Sequence, residues 1–183
     1  THLYITYGTT WVYQLKQTRV VVANCHKVAQ DQFEKHLLSV NEIETAIQNS
    51  IDLIQKFNPT CQIVFTASPV RHIKDGFVEN QRSKANLISA MHTSISQQPT
   101  SSYFPSYEII TGSFSRGRYF AEDLRNVTEE GVSHVMRLFL HHATEGAVNL
   151  QPAHSEGKNG DDFIAKAEAF VQVECDEIAL DRF

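Results

Sequence analysis

The sequence predicts an α/β protein, a three-layer α/β/α sandwich about a mainly parallel sheet. Short β-branched runs alternate along the chain with longer segments whose apolar residues recur at helical spacing, and two strand-helix-strand units, 19–66 and 62–110, share a strand. Composition agrees: 42% of the 183 residues are apolar and the formal net charge is −5, which suits one soluble domain with a buried core. Disordered, collagen-like and coiled-coil classes are excluded.

Leu3 to Tyr7 reads as a buried strand that runs into a turn at Gly8-Thr9-Thr10, and Arg19 to Ala23 as a second strand ending at Asn24. Ser39 with Glu42 three residues on forms a capping box. Ile43, Ile47, Ile51 and Ile54 then repeat at helical spacing until Asn58-Pro59, so the spacing predicts a helix over 40–57. Gln62 to Thr66 is dense in β-branched and aromatic residues and stops at Ser68-Pro69, a strand feeding a loop. Ala85, Ile88, Met91 and Ile95 mark the next helix, from about Val78 to the break at Gln97-Gln98-Pro99, and short apolar pieces at Tyr103-Phe104 and near 107–110, flanked by Pro105, suggest one more strand at Tyr107 to Ile110. Thr128 caps a helix whose apolar face is Val132, Val135, Met136 and Phe139. The expected organisation is a domain over 1–142, a loop over 143–160 rich in Gly, Asn, Ser and Pro, and a carboxyl-terminal amphipathic helix within 161–183.

Charge narrows the function. Residues 1–60 carry five basic and five acidic side chains, 61–120 six and three, and 121–183 five and thirteen. The basic excess of the middle third is too dilute for the phosphate-neutralising stripe that nucleic acid requires, but it could hold one small anion or a developing negative charge. The longest apolar runs, such as Val20 to Ala23 and Ile63 to Ala67, fall far short of the ~20 residues that cross a bilayer, so no membrane partner is expected. Cys25, Cys61 and Cys175 are odd in number and far apart, which suits reduced thiols; with no signal peptide legible at Thr1, the expected address is cytoplasmic. Nine histidines form no paired metal spacing, and no phosphate-cradling glycine motif occurs, so neither metal nor cofactor is expected.

Parallel sheets place ligands at the carboxyl ends of their strands, which directs attention to the turns after each one. Ser68-Pro69-Val70-Arg71-His72 follows the 62–66 strand; Arg71 could hold a carboxylate or oxyanion and His72 could act as a general base near neutral pH. The alternative is that Arg71 pairs with Asp75 or Glu79 and His72 orders a loop. Asn80, Ser83 and Lys84 open the next helix, where polar groups either bind an anion or cap and solvate. After the 19–23 strand, Asn24 could donate to an oxyanion and His26 could orient it. Gly8, Thr9 and Thr10 complete the expected rim.

Six stretches in register, Ile5 to Tyr13, Val21 to Lys27, Ser68 to His72, Glu79 to Lys84, Tyr103 to Glu108 and Tyr119 to Asp123, resemble the GSCFA domain family over about residues 3–140. GSCFA domains are similar to the SGNH, or GDSL-like, hydrolases. The resemblance implies a flavodoxin-like sandwich and ester or acyl hydrolysis by a Ser, His and Asp set, with Gly and Asn donors for the oxyanion. The Gly-Ser-Cys-Phe-Ala motif of the family, which supplies the serine, normally lies upstream of the segment matching residues 3–13 and is absent from this sequence. Its Asp-x-x-His element matches Asp123-Leu124-Arg125-Asn126, with Asn126 at the histidine position. An amide cannot take a proton from a serine. The resemblance therefore implies either a hydrolase of small esters or acyl groups, acetylated carbohydrates among them, whose nucleophile and first strands lie upstream, or a non-catalytic module that binds a carbohydrate or carboxylate. In either case Asp123 is expected at the same rim as His72.

Overall fold

The computed structural model describes residues 1–22 and 28–143; Asn24, Cys25 and His26, the 144–160 loop and the 161–183 helix lie outside the described residues. The order of elements is β1 (His2–Tyr7), β2 (Trp11–Leu15), β3 (Val21–Val22), β4 (Phe33–Leu37), α1 (Val40–Phe57), β5 (Gln62–Ala67), α2 (Phe77–Ser96), β6 (Ser101–Tyr103), α3 (Ser106–Thr111) and α4 (Glu129–Ala143). It is a mixed α/β structure with two three-stranded sheets, one ordered β1-β5-β6 and the other β3-β2-β4.

The first sheet is parallel, with Tyr7 opposite Ala67 and Phe65 opposite Tyr103. Alternation along the strands sends Ile63, Phe65 and Ala67 of β5, with Ile5 and Tyr7 of β1, to one face. There they meet Ile43, Ile47 and Ile51 of α1 and Leu87, Ala90 and Met91 of α2. Burying each large apolar side chain of this set contributes roughly 1.5–3 kcal/mol. α1 starts where the capping box requires: Ser39 N–H donates to the Glu42 carboxylate at 2.8 Å, and Glu42 N–H to the Ser39 hydroxyl at 3.4 Å. Phe139 of α4 makes edge contacts with Tyr4 of β1 and Phe104, ring centroids 5.1 and 5.2 Å apart. A smaller apolar cluster of Ile110, Tyr119 and Phe120 packs against Val127 and Val135.

Two expected strands are corrected. Among the described residues of the 19–23 run, Val21–Val22 forms β3, which lies antiparallel to β2 in the second sheet and not in the parallel one. The connection over 16–20 is a hairpin turn, too short for the crossover of a dozen or more residues that parallel pairing needs, and Val20 and Val21 are exposed. Tyr107 to Ile110 lies in α3 instead, and the third parallel strand is the polar β6 just before it. A short apolar run cannot tell strand from helix by periodicity. Here Ser106 settles it by donating its hydroxyl to the Ala67 carbonyl at 2.8 Å, which anchors a helical turn at the end of β5. β2 and β4 were not anticipated. Among the described residues no helix is long and apolar enough to cross a membrane.

Candidate functional site at the carboxyl ends of β1 and β5

Gly8 and Ser68 are the first residues past β1 and β5, side by side because the strands are in register to their ends. Lys84, on the second turn of α2 and only 1% exposed, reaches between them: its ammonium donates to the Gly8 and Ser68 carbonyls, both at 2.5 Å. Burial pushes the Lys84 ammonium down to about 8. No carboxylate lies within ion-pair distance of it among the described residues.

His72 stands beside this clamp. A methyl group built on Gly8 would lie 3.4 Å from His72 Nε2, so the glycine brings the imidazole close to the end of β1. The main-chain N–H of His72 donates to Asn80 Oδ1 at 2.8 Å. Asn80 is buried on the first turn of α2, and Gly76, with φ of +89°, makes the corner into that helix, a conformation that favours glycine. The ring itself makes no hydrogen bond or ion pair with any described residue. Burial holds His72 below its ordinary value of 6.5, and the charges of Lys84, Arg125 and Lys35 act in the same direction against Asp75. Both influences favour the neutral imidazole at pH 7, and no described residue occupies its acceptor nitrogen.

Arg71 extends the rim on the other side. Its guanidinium lies 3.5 Å over the Phe120 ring and donates to the Leu124 carbonyl at 3.0 Å, while its main-chain N–H donates to the Arg125 carbonyl at 3.1 Å. The 120–127 loop is thereby fastened next to His72. Asp123 does not use this position to orient an imidazole. One of its oxygens accepts from the main-chain N–H groups of Arg125 and Asn126, both at 2.9 Å, and the other from the Asn126 amide at 2.5 Å. Those hydrogen bonds hold its carboxyl below the usual range.

Ser83, Thr9 and Thr10 converge as a hydroxyl cluster: Thr10 N–H donates to Ser83 Oγ at 2.8 Å, with Thr10 Oγ1 at 3.1 Å and Thr9 Oγ1 at 3.0 Å from the same oxygen. Ser83 and Thr10 are each 2% exposed, so their hydroxyls fasten α2 to the β1–β2 turn. The structure thus gathers Gly8, Thr9, Thr10, Arg71, His72, Asn80, Ser83 and Lys84 at one end of the parallel sheet, but Asn80, Ser83 and Lys84 reach main-chain partners inside it. Sequence reasoning missed Arg125 and the Lys35–Asp75 ion pair that ties β4 to the loop after His72. Arg125 lay inside a motif read only for its first and last residues. Among the described residues no group of His, Cys, Asp and Glu is placed to hold a metal ion.

The model of the GSCFA family matches residues 1–139. The chain belongs to the GSCFA family. No curated protein and no solved structure matches it. The family match spans every described element except the last residues of α4, so the rim around His72 belongs wholly to the GSCFA domain.

Proposed function

We propose that this GSCFA domain is an SGNH-like acyl site on a three-layer α/β/α sandwich, with His72 as its proton-accepting group and small esters or acyl compounds as its ligands. The observation that carries this reading is the half-buried neutral imidazole of His72, held over Gly8 at the strand ends with no protein hydrogen bond on its ring. A group so placed can accept the proton of a reacting hydroxyl or orient a bound one. The fastened loop at Arg71 and the main-chain support from Asn80 preorganise it.

No serine or threonine hydroxyl among the described residues donates to His72, and the Ser68 hydroxyl instead accepts from Val70 N–H at 3.3 Å. That favours a second reading, a binding module, for the chain as given. The self-contained turn of Asp123 and Asn126 points the same way, since a triad mechanism needs a nucleophilic oxygen, a base in reach and an orienting acid. Removing triad members leaves only the ~10³–10⁴-fold assistance of binding and oxyanion stabilisation.

The test is an assay of the purified chain with a short-chain aryl ester, beside His72→Ala and Asn126→His. The expected result is ligand binding that weakens in His72→Ala, with no useful turnover by the unmodified chain. Robust turnover that vanishes in His72→Ala would make His72 the base of a complete hydrolase. Turnover gained only in Asn126→His would show that a nucleophile is present and the base at 126 was lost. Binding and turnover both indifferent to His72 would remove the site assignment.

A further inference from the structure

We propose that the ligand of this rim presents a carboxylate, so that of the two ligand classes the family resemblance implies, carboxylate and neutral carbohydrate, the charge of the site selects the first. The inference rests on the His72 site proposed above. Three cationic side chains act on that imidazole, Lys84 beneath Gly8, Arg125 on the fastened loop and Lys35 on β4, and a fourth, Arg71, is the adjacent residue with its guanidinium over Phe120. Asp75 is paired with Lys35, and Asp123, held ionised within its own turn, offsets part of the Arg125 charge. Arg71 and Lys84 have no ion-pair partner among the described residues, and they carry the surplus.

This surplus stands out on a chain whose formal net charge is −5. An unpaired ammonium that is 99% buried is costly unless something compensates it, and the two carbonyl dipoles of Gly8 and Ser68 supply only part of that. Water screens the exposed Arg125 but screens Lys84 little, so the potential at the His72 ring stays positive at ordinary salt. Arg71, stacked over Phe120, has spare donors of the forked geometry that matches a carboxylate, because a single hydrogen bond, to the Leu124 carbonyl, uses its guanidinium. A neutral sugar would gain nothing from this field; an anion gains from all of it.

The experiment compares acetate with acetamide, which share shape and differ in charge. Each is titrated into the full chain at pH 7 and low ionic strength while the Gly8 and His72 amide resonances are followed. Acetate is expected to bind saturably and at least tenfold more tightly than acetamide, with the preference shrinking as sodium chloride is added. Arg125→Gln, an exposed position that leaves the clamp and the imidazole in place, is expected to reduce the acetate preference severalfold. The His72 ring should titrate higher in the acetate complex, because a bound anion favours the imidazolium. Equal binding of the two probes, no saturable acetate binding, or an acetate preference unchanged in Arg125→Gln with an unmoved His72 titration would overturn the proposal. These outcomes separate from failure of the underlying site: an aryl ester could still depend on His72 while acetate shows no preference, and loss of all His72 dependence would sink both.

Discussion

Two polar clusters lie side by side at the carboxyl ends of the parallel sheet, and they use their hydrogen bonds in opposite ways. The Asp123–Asn126 turn satisfies itself: each carboxylate oxygen is engaged by a neighbour within three residues. The His72 rim is held from behind, through Asn80, Lys84 and Gly8, and leaves its ring unengaged. The first occupies the place where the family resemblance expects catalytic groups, the second a strand end where a parallel sheet places its ligands. Only the second has the supported but unsatisfied character that a ligand can complete. The lesson is that a motif position names a location, whereas the local hydrogen bonds decide whether the group there is available.

That contrast can be broken most forcefully at its buried support. Lys84→Met leaves the carbonyls of Gly8 and Ser68 without their donor, and the expected cost is about 2–4 kcal/mol in a urea titration, offset in part by relief of a buried charge. The same residue gives a pH signature. Because its folded value is lowered to about 8 from 10.5, the unfolded chain binds more protons between those limits, so wild-type stability should rise across that window and Lys84→Met should lack the rise. A flat wild-type profile there would mean that Lys84 is not buried as described.

Ser83→Ala comes next. It orphans the buried Thr10 N–H, and a loss of about 1–2 kcal/mol is expected by thermal or chemical unfolding, against near-neutrality if the hydroxyl cluster were solvated. On the self-satisfied side, Leu124 sits at a φ of +55°, which a residue with a Cβ tolerates poorly, so Leu124→Gly should stabilise the protein by up to about 1 kcal/mol. A clear destabilisation would show that the leucine side chain, 55% exposed, carries contacts that outweigh the strain. The smallest effect belongs to the exposed Asp123. Its folded value is depressed, so its contribution is present above the unfolded carboxylate range and lost as pH falls through the folded value. The stability gap between wild type and Asp123→Ala should therefore be slight at pH 7 and close below about pH 4.

Much of the scaffold could be read from residues alone. The capping box at Ser39 and Glu42 and the isoleucine spacing after it locate α1, and β1, β5 and α2 fall where alternation and periodicity place them. What failed did so for local reasons. Tyr107 to Ile110 is too short for its period to be decisive, and its helix is set by a tertiary hydrogen bond from Ser106 to Ala67 that no window of sequence contains. β6, Ser101–Tyr103, is polar and three residues long, so only its last residue, Tyr103, contributes to the strand signal, which points downstream of it. At the site, proximity to strand ends drew attention to Gly8, Arg71, His72 and Lys84, which the structure brings together at one end of the parallel sheet. Whether a polar side chain faces a ligand or the main chain is a question of direction, which is why Lys84 and Asn80 read as binding groups until their carbonyl and amide partners were seen.

The central claim is that His72 is unengaged by the neighbouring aspartate and is kept toward its neutral form by burial first and by the cations around it second. Titrating its imidazole by NMR in the free protein, beside Asp123→Asn, tests this most directly. The account predicts a midpoint below 6.5 that stays put when Asp123 is replaced. A midpoint at or above 6.5 that drops in Asp123→Asn would place His72 in a conventional pair with that carboxylate and contradict the account.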